Sequence, residues 1–459
     1  MTEFIPPFPT RHKKSLGPLD IVKYASRDLL SIWPESAFDR QFMATRIINR
    51  SIFIANCPEV VRHVLVTNHA NYEKKSPLMR KAFEPLLGDG LFISDGKTWQ
   101  NRRAMEEPFF SEEQVAQYTE IMIKTAGEYV QNWSMLKSGS TLDVMPEMLK
   151  LSSEIICRTL FGNQMNIEQI TQLSENMADY RAAVGKMDLS AFFGLPSWIS
   201  GGKKNQTATI ANNIHLIIDK VIAEGITSEN KDSLLAHFLT LQKSENTLTL
   251  QQIRNELIVL FMAGQETTAN TLAWGWYLIS QCPEVEQRLH QEVDGLTGDS
   301  GSLSYNDFSG LTYTRAIIDE TIRLYPPVPL LTREAGAADV IRNRHIPIGS
   351  IMLVSPWLLH RHKLYWDKPD HFIPERFLAD APVPVDEFAY IPFSTGPRAC
   401  LAKFFGTVET TLCLAILARH FRLTLPAGHE VTHECRLTLR PKGNLPMQIM
   451  TRRHYSRPD

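Results

Sequence analysis

Apolar residues recur at helical spacing over most of the chain and alternate with polar ones only in short stretches near its two ends. Apolar and polar residues alternate over residues 45–55, which carry β-branched side chains, and this pattern predicts a hairpin. Pro58 is expected to begin a helix. From about residue 97 to 290 the spacing is that of amphipathic helices. A strand-turn-strand is predicted at 346–354 and a hairpin at 436–449. Helices and strands do not alternate, so we expect a mainly α fold with a small β-rich portion.

The longest apolar stretch, Leu257 to Ile279, is interrupted by the polar sequence QETTANT at 265–271. No uninterrupted apolar run reaches the ~18 residues that span a bilayer, and a charge at the centre of a spanning helix is costly. The stretch therefore predicts a long buried helix with a polar notch, in a protein without a membrane anchor. Residues 1–17 are Pro-rich and basic, which predicts a surface arm, and they lack the apolar core of a secretory signal.

Charge and cysteine usage narrow the class of protein. The 459 residues include 48 basic and 50 acidic side chains, a formal net charge of -2. Near-neutrality disfavours a nucleic-acid-binding protein that works through a global basic field. The six cysteines form no CxxC pair, so we expect reduced thiols and a cytoplasmic protein. Five of them are expected to be buried in the core.

Cys400 lies in a different setting, the segment FSTGPRACLAKFFGTVET at 393–410. Helical sequence follows it, and the free N–H groups at a helix N-terminus favour a thiolate. Gly396 permits a tight turn in which backbone approaches a bound group closely, and Arg398 is placed to bind a carboxylate. A lone cysteine before a helix is usually structural, so the flanking residues must decide between the two interpretations.

Those flanking residues resemble the haem-binding signature of the cytochrome P450 monooxygenases. Four signature positions match: Phe393, Gly396, Arg398 and Cys400. Ser394 and Ala402 stand where the signature has glycine, so packing against a macrocycle should survive while loop rigidity and haem potential are expected to change. The resemblance implies that Cys400 is the axial thiolate ligand of haem b, with Phe393 and Arg398 among the cofactor-binding residues.

A second motif is Glu320-Thr-Ile-Arg323, on a helix whose apolar stripe includes Tyr313 and Ile317. The stripe indicates that the carboxylate is buried, and a buried carboxylate must be paired; the arginine at i+3 can reach it. The alternative is an ordinary surface pair. The resemblance implies that Glu320 and Arg323, together with Arg376 in PERF, form a structural network under the haem-binding core.

The polar notch holds an acid beside an alcohol, a pair that can relay protons; the alternative is a buried polar pair satisfied by neighbouring helices. The resemblance implies a distal groove for dioxygen activation, with Thr267 hydrogen-bonding the oxygen species or adjacent water. Glu266 would be the solvent-linked proton donor. Ala263 and Gly264 would line the distal face of the haem.

Trp99 and Arg103 share a helix face at i, i+4 spacing, and both are donors suited to a carboxylate. The family uses this pattern on a haem propionate, and Arg333 matches another propionate-binding arginine. Any one of these arginines alone is more often a surface residue. Arg103, Arg333 and Arg398 together favour a binding site for a macrocycle that carries two carboxylates.

The resemblance covers about residues 45–450 and implies one haem-thiolate monooxygenase domain over 1–459, without a fused reductase. It would insert one oxygen atom of dioxygen into a hydrophobic small molecule, with electrons from a ferredoxin or flavodoxin and its reductase. Candidate basic contacts for that carrier are Lys97, Arg102 and Lys403.

The substrate is expected to be a terpenoid, fatty acid, steroid or aromatic compound. The predicted pocket residues are Leu86, Leu87, Phe92, Phe192, Phe193, Met262, Val328, Leu330 and Leu331. Two alternatives are a peroxide-driven peroxygenase or isomerase and a non-catalytic haem sensor. The pair of Glu266 and Thr267 favours dioxygen activation over a peroxide-driven reaction.

Overall fold

Helices make up most of the structure, which is a computed structural model. It describes residues 4–47, 50–185, 204–228, 233–245, 248–297, 303–382 and 385–452. The helices, in chain order, are α1 Pro18–Ala25, α2 Pro58–Arg62, α3 Pro77–Leu87, α4 Gly96–Glu106, α5 Glu112–Ser134, α6 Val144–Phe161, α7 Ile167–Gly185, α8 Lys204–Thr227, α9 Leu234–Glu245, α10 Leu250–Ser280, α11 Pro283–Thr297, α12 Thr312–Leu324, α13 Pro356–Leu359 and α14 Lys403–His420.

Short strands form small sheets beside the helices. They are β1 Phe42–Ile47, β2 Arg50–Ala55, β3 Thr141–Asp143, β4 Leu331–Glu334, β5 Asp339–Ile341, β6 Arg344–Ile346, β7 Ile351–Val354, β8 Phe421–Thr424, β9 His433–Cys435, β10 Leu439–Pro441 and β11 Pro446–Thr451. One sheet has the order β1-β2-β7-β4 and another β3-β11-β8, while β5 pairs with β6 and β9 with β10. This is the mainly α fold with small β portions that the sequence predicts.

The strand predictions have mixed outcomes. The predicted hairpin at 45–55 is confirmed as the antiparallel pair β1 and β2. The segment 346–354 does contain strands, but β6 pairs with β5 while β7 pairs with β2 and β4. The predicted hairpin at 436–449 is wrong, because β10 pairs with β9 and β11 with β3 and β8. The chain turns at Gly443, where φ is 73°, but packing at longer range selects the partners.

Helix α10 is the predicted long buried helix. It begins with a capping box, in which Thr249 Oγ1 accepts a hydrogen bond from the Gln252 N–H at 3.2 Å and the glutamine side chain returns the contact. Residues on every side of α10 are buried, and α6, α8, α12 and α14 pack around it. Within the described ranges, no helix combines the length and the apolarity needed to cross a membrane.

The predicted N-terminal arm is packed against the body of the protein from residue 4 to residue 12. The Tyr325 hydroxyl donates to the Pro7 carbonyl at 2.7 Å, and the Phe4 carbonyl accepts from the N–H of Phe372 at 3.1 Å. The Arg11 guanidinium lies over the Phe38 ring. The arm is thus held by backbone and aromatic contacts, which its Pro-rich, basic composition did not indicate.

Arg323, on α12, is fully buried and uses all five of its N–H donors. Nε donates to Glu320 Oε2 at 2.6 Å and Nη2 to Glu320 Oε1 at 2.8 Å. The remaining donors reach the carbonyls of His360, Pro369 and His371 at 2.7 to 2.8 Å. Because guanidinium has five donors, this buried cation is completely satisfied, and it fastens α12 to the segment that follows α13.

Glu320 completes the same network and is also fully buried. Its Oε1 accepts from the Ile373 N–H at 2.8 Å and from Arg376 Nε at 3.2 Å. The Arg323 and Arg376 guanidinium groups both lie over the ring of Trp366, at 4.9 and 5.8 Å. The contacts predicted among the three charged residues are therefore present.

Replacement of Glu320 by glutamine should destabilise the protein strongly. It would leave two arginine charges in the interior with one carboxylate fewer, and breaking a buried pair costs about 3–5 kcal/mol. We expect little folded protein on expression and a much lower denaturant midpoint by circular dichroism.

The matched control is Glu59→Gln, which removes a carboxylate from the exposed pair with Arg342. Exposed pairs contribute about 0–1 kcal/mol, so this variant should unfold close to the wild type. Equal losses for the two variants would contradict a special role for the Glu320 network.

Candidate active site

Cys400 differs from the other five cysteines because its side chain is accessible while theirs are buried. It is not on an outer surface, since burial raises the pKa of its thiol. A group that is both desolvated and accessible lines an internal cleft. In α10, where most neighbours are buried, Ala263 is exposed and Thr267 is half-buried, so Thr267 is the one residue of the polar notch at 265–271 that borders open space.

The loop before Cys400 is held by a close backbone contact. The Cys400 N–H donates to the Phe393 carbonyl at 2.8 Å. Gly396 has a φ of 74°, and a Cβ on it would lie 2.0 Å from the carbonyl oxygen of Leu65. Only glycine fits this position, both for its conformation and for its distance from the neighbouring chain.

Ser394 has a φ of 61°, in the left-handed region that favours glycine. Its hydroxyl is buried and finds no hydrogen-bond partner among the described residues. The sequence comparison with the family signature already marked this position as a departure from glycine. The structure adds that the serine is strained there.

Three groups near Cys400 favour its thiolate form over the thiol. The backbone N–H of Ala402, next to the start of α14, lowers the pKa of the thiol, as do the charges of Arg103 and Lys403. The helix N-terminus therefore acts as expected. Arg398, two residues away in sequence, is directed elsewhere.

Arg398 binds groups on the segment that leads into α4 and on α4 itself, as well as Glu73. Its guanidinium lies 3.1 Å from Glu73 Oε1, donates to the Ser94 carbonyl at 3.0 Å and stacks over the Trp99 ring at 4.4 Å. Trp99 and Arg103 share a face of α4, as predicted, and Arg103 Nη1 donates to the Ala399 carbonyl at 2.8 Å. The face contacts the cysteine loop itself, so Arg103 already has an acceptor.

Two further cations lie close to Arg398 without an acid of their own. Arg333 is buried, and its one hydrogen bond in the described chain is to the Thr332 carbonyl at 3.0 Å. Burial and then Arg398 lower the pKa of Arg333 to about 10. The pKa of Lys75 is lowered well below its usual value by burial and by these two arginines.

Lys75 was missed by the sequence interpretation, because a Lys-Lys pair normally indicates a solvated surface. Its Nζ lies 3.3 Å from the centre of the Phe92 ring, and it has no carboxylate partner among the residues described. Among the described residues, Glu73 is the one acid that forms an ion pair with any of Lys75, Arg333 and Arg398, and nearby Asp95 is itself paired with Arg80. This surplus of two positive charges in a buried site suits a ligand with two carboxylates.

The notch residues point in three directions. Thr267 Oγ1 donates to the Ala263 carbonyl at 2.7 Å, the back-bond that the sequence indicated. Glu266 is buried and lies 3.0 Å from Arg181 Nε on α7. A Cβ on Gly264 would lie 3.1 Å from Ile156 on α6, so helix packing leaves little room for a side chain there, while its place at a cofactor face stays a prediction.

A second polar contact lies behind the notch. Thr268 Oγ1 donates to Glu409 Oε2 on α14 at 3.0 Å, and burial raises the pKa of Glu409 to about 8. This bond joins the helix that bears the notch to the helix that follows Cys400. From sequence alone, Glu409 is only an isolated acid in an apolar helix.

The predicted pocket is partly corrected. Leu86 and Leu87 have no exposed surface, so they belong to the core and line no cleft. Val328 is exposed, and residues 192 and 193, both phenylalanine, lie outside the described residues. The half-buried members of the predicted set are Phe92, Met262, Leu330 and Leu331.

The predicted docking cations are corrected at one position. Arg102 is buried between Asp89 and Glu256, with N–O distances of 3.1 and 3.0 Å. It therefore presents no charge to a partner. Lys97 and Lys403 are exposed, and Lys403 borders a surface depression of about 550 Å³.

A cysteine at a helix start, a surplus of cations and a helix with an accessible threonine are groups that suit an iron porphyrin. The cytochrome P450 family model matches residues 39–446. The chain belongs to the cytochrome P450 family. Members of this family bind haem b through a cysteine thiolate, and the protein is a haem-thiolate monooxygenase that acts with a substrate, dioxygen and redox partners.

Similar proteins include both bacterial and animal cytochromes P450. Cyclooctatin synthase of Streptomyces melanosporofaciens is 29% identical over 441 residues, covering 94% of this chain and 94% of that protein. Cyclooctat-9-en-7-ol 5-monooxygenase of the same organism is 29% identical over 374 residues, covering 81% and 80%. Cytochrome P450 4V2 of Homo sapiens is 28% identical over 421 residues, covering 85% and 78%.

Ser394→Gly should stabilise the cysteine loop. The substitution removes a left-handed conformation that costs an L-residue about 1–2 kcal/mol, offset by about 0.4–1 kcal/mol from the more flexible unfolded chain. We expect a net gain of up to ~1 kcal/mol in the free energy of unfolding, measured by denaturant titration of the haem-loaded protein.

Two variants frame this measurement. Ser26→Gly, at an exposed turn outside the left-handed region, should be neutral or slightly destabilising, while Gly396→Ala should prevent the loop from reaching Leu65. Destabilisation by Ser394→Gly as large as that of Ser26→Gly would show that no strain is relieved.

Proposed function

We propose that Cys400 is the axial ligand of haem b in this cytochrome P450 and that Lys75, Arg333 and Arg398 hold its two propionates. The observation that carries the proposal is the buried surplus of two positive charges beside an accessible, desolvated cysteine. Phe393 contributes the carbonyl that fixes the Cys400 backbone. When bound, the haem supplies the chemistry that activates dioxygen.

The residues around Cys400 favour its ionised form. A metal-bound cysteine must lose its proton, which burial opposes in the free thiol. The Ala402 N–H and the charges of Arg103 and Lys403 act in the other direction. Trp99 and Arg103 then serve as the support of the loop, through Arg398 and the Ala399 carbonyl.

On α10, we propose that Thr267 hydrogen-bonds the oxygen species or its adjacent water, next to Ala263. The Thr267 hydroxyl donates its hydrogen to the Ala263 carbonyl. Its oxygen can therefore still accept a hydrogen bond from water or from another proton donor. Glu266 is the proposed proton donor. Since Arg181 holds Glu266 on the α7 side of α10, the acid must exchange this partner to deliver a proton.

We propose that residues 1–459 form one domain. The hydrogen bond from Arg103 to Ala399 joins segments 296 residues apart, and α10 packs against helices from both halves of the chain. We also propose a cytoplasmic location, supported by the six free cysteines.

The electron donor is proposed to be a ferredoxin or flavodoxin with its reductase. Lys97 on α4 and Lys403 on α14 are exposed cations on the two helices next to the cysteine loop. An acidic carrier would be attracted to these charges. Arg102 is excluded from this role by its burial.

The substrate is proposed to be a mainly hydrocarbon small molecule: a terpenoid, fatty acid, steroid or aromatic compound. The half-buried side chains Phe92, Met262, Leu330 and Leu331 are apolar. A similar protein is named for oxidation of cyclooctat-9-en-7-ol, a largely apolar alcohol. A spectral screen of such compounds for displacement of water from the ferric iron would identify the class.

The reduced, haem-loaded protein should give a strongly red-shifted Soret band with carbon monoxide, because a thiolate pushes electron density onto the iron. Cys400→Ser should abolish this band. Cys57→Ala, at a buried cysteine before α2, should retain it. A wild-type protein fully loaded with haem that never shows the band would rule out Cys400 ligation.

Thr267→Ala should retain haem but divert reducing equivalents from product to peroxide or water. General acid catalysis contributes about 10²–10⁴-fold, so even partial loss should reduce product formed per reductant consumed roughly tenfold. The measurement is product and peroxide yield at saturating substrate.

Thr240→Ala is the control for this prediction. Thr240 makes the same back-bond, to the Ala236 carbonyl at 2.9 Å, on the exposed surface of α9. It should leave the yield unchanged. An unaltered yield in Thr267→Ala would remove the proposed relay.

A further inference from the structure

Two buried carboxyl groups face each other between α4 and α10. Glu106, at the end of α4, and Glu256, in the first half of α10, both have no exposed surface. Neither oxygen of Glu106 accepts a hydrogen bond from a donor in the described part of the chain. A buried carboxylate without a donor or a cation of its own is expensive, so an uncharged form is favoured.

The charged groups around the pair leave Glu106 without a counter-ion. Glu256 Oε1 lies 3.0 Å from Arg102 Nε, and its Oε2 accepts from the Leu91 N–H at 2.8 Å. Arg102 also binds Asp89 at 3.1 Å. The Arg102 guanidinium therefore already pairs with two carboxylates, those of Asp89 and Glu256, and forms no ion pair with Glu106.

The remaining nearby cation is committed to other groups. Arg102 and then Arg103 reduce the pKa of Glu106 through their charges, but the Arg103 guanidinium donates to the Ala399 carbonyl and pairs with Glu107. Two like charges at close range cannot both ionise in a buried site. Burial and then Glu256 raise the pKa of Glu106 well above its ordinary value, and burial raises that of Glu256.

We infer that Glu106 and Glu256 share one proton at neutral pH, and that this proton fastens α4 to α10. Through α4 it positions Trp99 and Arg103, which contact the cysteine loop. Glu106 is a positioning residue and touches neither substrate nor cofactor. The carboxyl pair stands on its own geometry, while its consequence for haem retention rests on the proposed function.

The sign of the pH dependence follows from where the proton is bound. The folded protein holds it and the unfolded chain releases it above its ordinary carboxyl pKa, so stability is present at low pH and is lost as pH rises. Between the ordinary carboxyl pKa of the unfolded chain and the raised pKa of the folded pair, each pH unit should increase the unfolding equilibrium constant about tenfold for one linked proton. Once both groups are ionised, their repulsion should separate α4 from α10 and loosen the cysteine loop.

The direct test is infrared spectroscopy of the haem-loaded protein, because a protonated carboxyl has a C=O stretch that a carboxylate lacks. Glu106→Gln should remove one protonated-carboxyl band at pH 7. Glu256→Gln should do the same, since Arg102 would then pair with an ionised Glu106. Glu113→Gln, at an exposed position of α5, should leave the band in place.

The second readout is haem retention as pH is raised. Glu106→Gln should retain haem to higher pH than the wild type. It should also remove the roughly tenfold rise per pH unit in the unfolding equilibrium constant that one linked proton causes. Burial lowers the pKa of Lys75 in the haem-free protein, so loss of this charge would also weaken haem binding at alkaline pH. Haem loss alone is therefore interpreted only as a difference between the variant and the wild type.

Unchanged protonated-carboxyl bands in whichever glutamine variant folds would overturn the inference. So would a wild type that has no such band at pH 7, a result that requires no variant. If instead the band behaves as expected but no thiolate-ligated haem spectrum is obtained, the proposed function fails and the shared proton remains.

Discussion

The contact between the cysteine loop and the carbonyl of Leu65 is the constraint on which the site depends. Gly396 passes so close to this carbonyl that a single methyl group would prevent the approach. From there the chain runs to Ala399, whose carbonyl is held by Arg103, and to Cys400, whose N–H returns to Phe393. Residues distant in sequence thereby fix one sulfur atom relative to α4 and α14.

The Glu320 network and the Thr268–Glu409 bond keep the surroundings of this loop in place by different physical means. Glu320 and Arg323 are charged, buried and fully paired, so removing either partner exposes the other to a large desolvation cost. Glu409 is buried without a cation, and its pKa of about 8 indicates a neutral acid at pH 7. Charge is thus tolerated in the interior where it is paired and suppressed by protonation where it is not.

The features predicted correctly from sequence depend on local spacing. Arg323 is one helical turn from Glu320, and the turn at Gly396 precedes a helix, so both follow from short segments. Strand pairing in 436–449 could not be predicted from local spacing. Strand β11 pairs with β3 and β8, which are distant in sequence or outside the segment, and not with the adjacent strand β10. Arg102 and Arg103 adjoin in sequence, yet about 100° of helical rotation sends one to Glu256 and the other to the cysteine loop. Lys75 and Glu409 were missed since a single charged residue normally indicates solvent.

The surplus of positive charge links folding to cofactor binding. Burial lowers the pKa values of Lys75 and Arg333, and repulsion among Lys75, Arg333 and Arg398 lowers them further. A bound dianionic group would remove this repulsion and raise those pKa values again. A ligand that binds only the folded state stabilises it, so the cations that weaken the free protein are those through which haem would stabilise it. The residues proposed to hold two carboxylates would therefore also make the stability of the folded state depend on the cofactor.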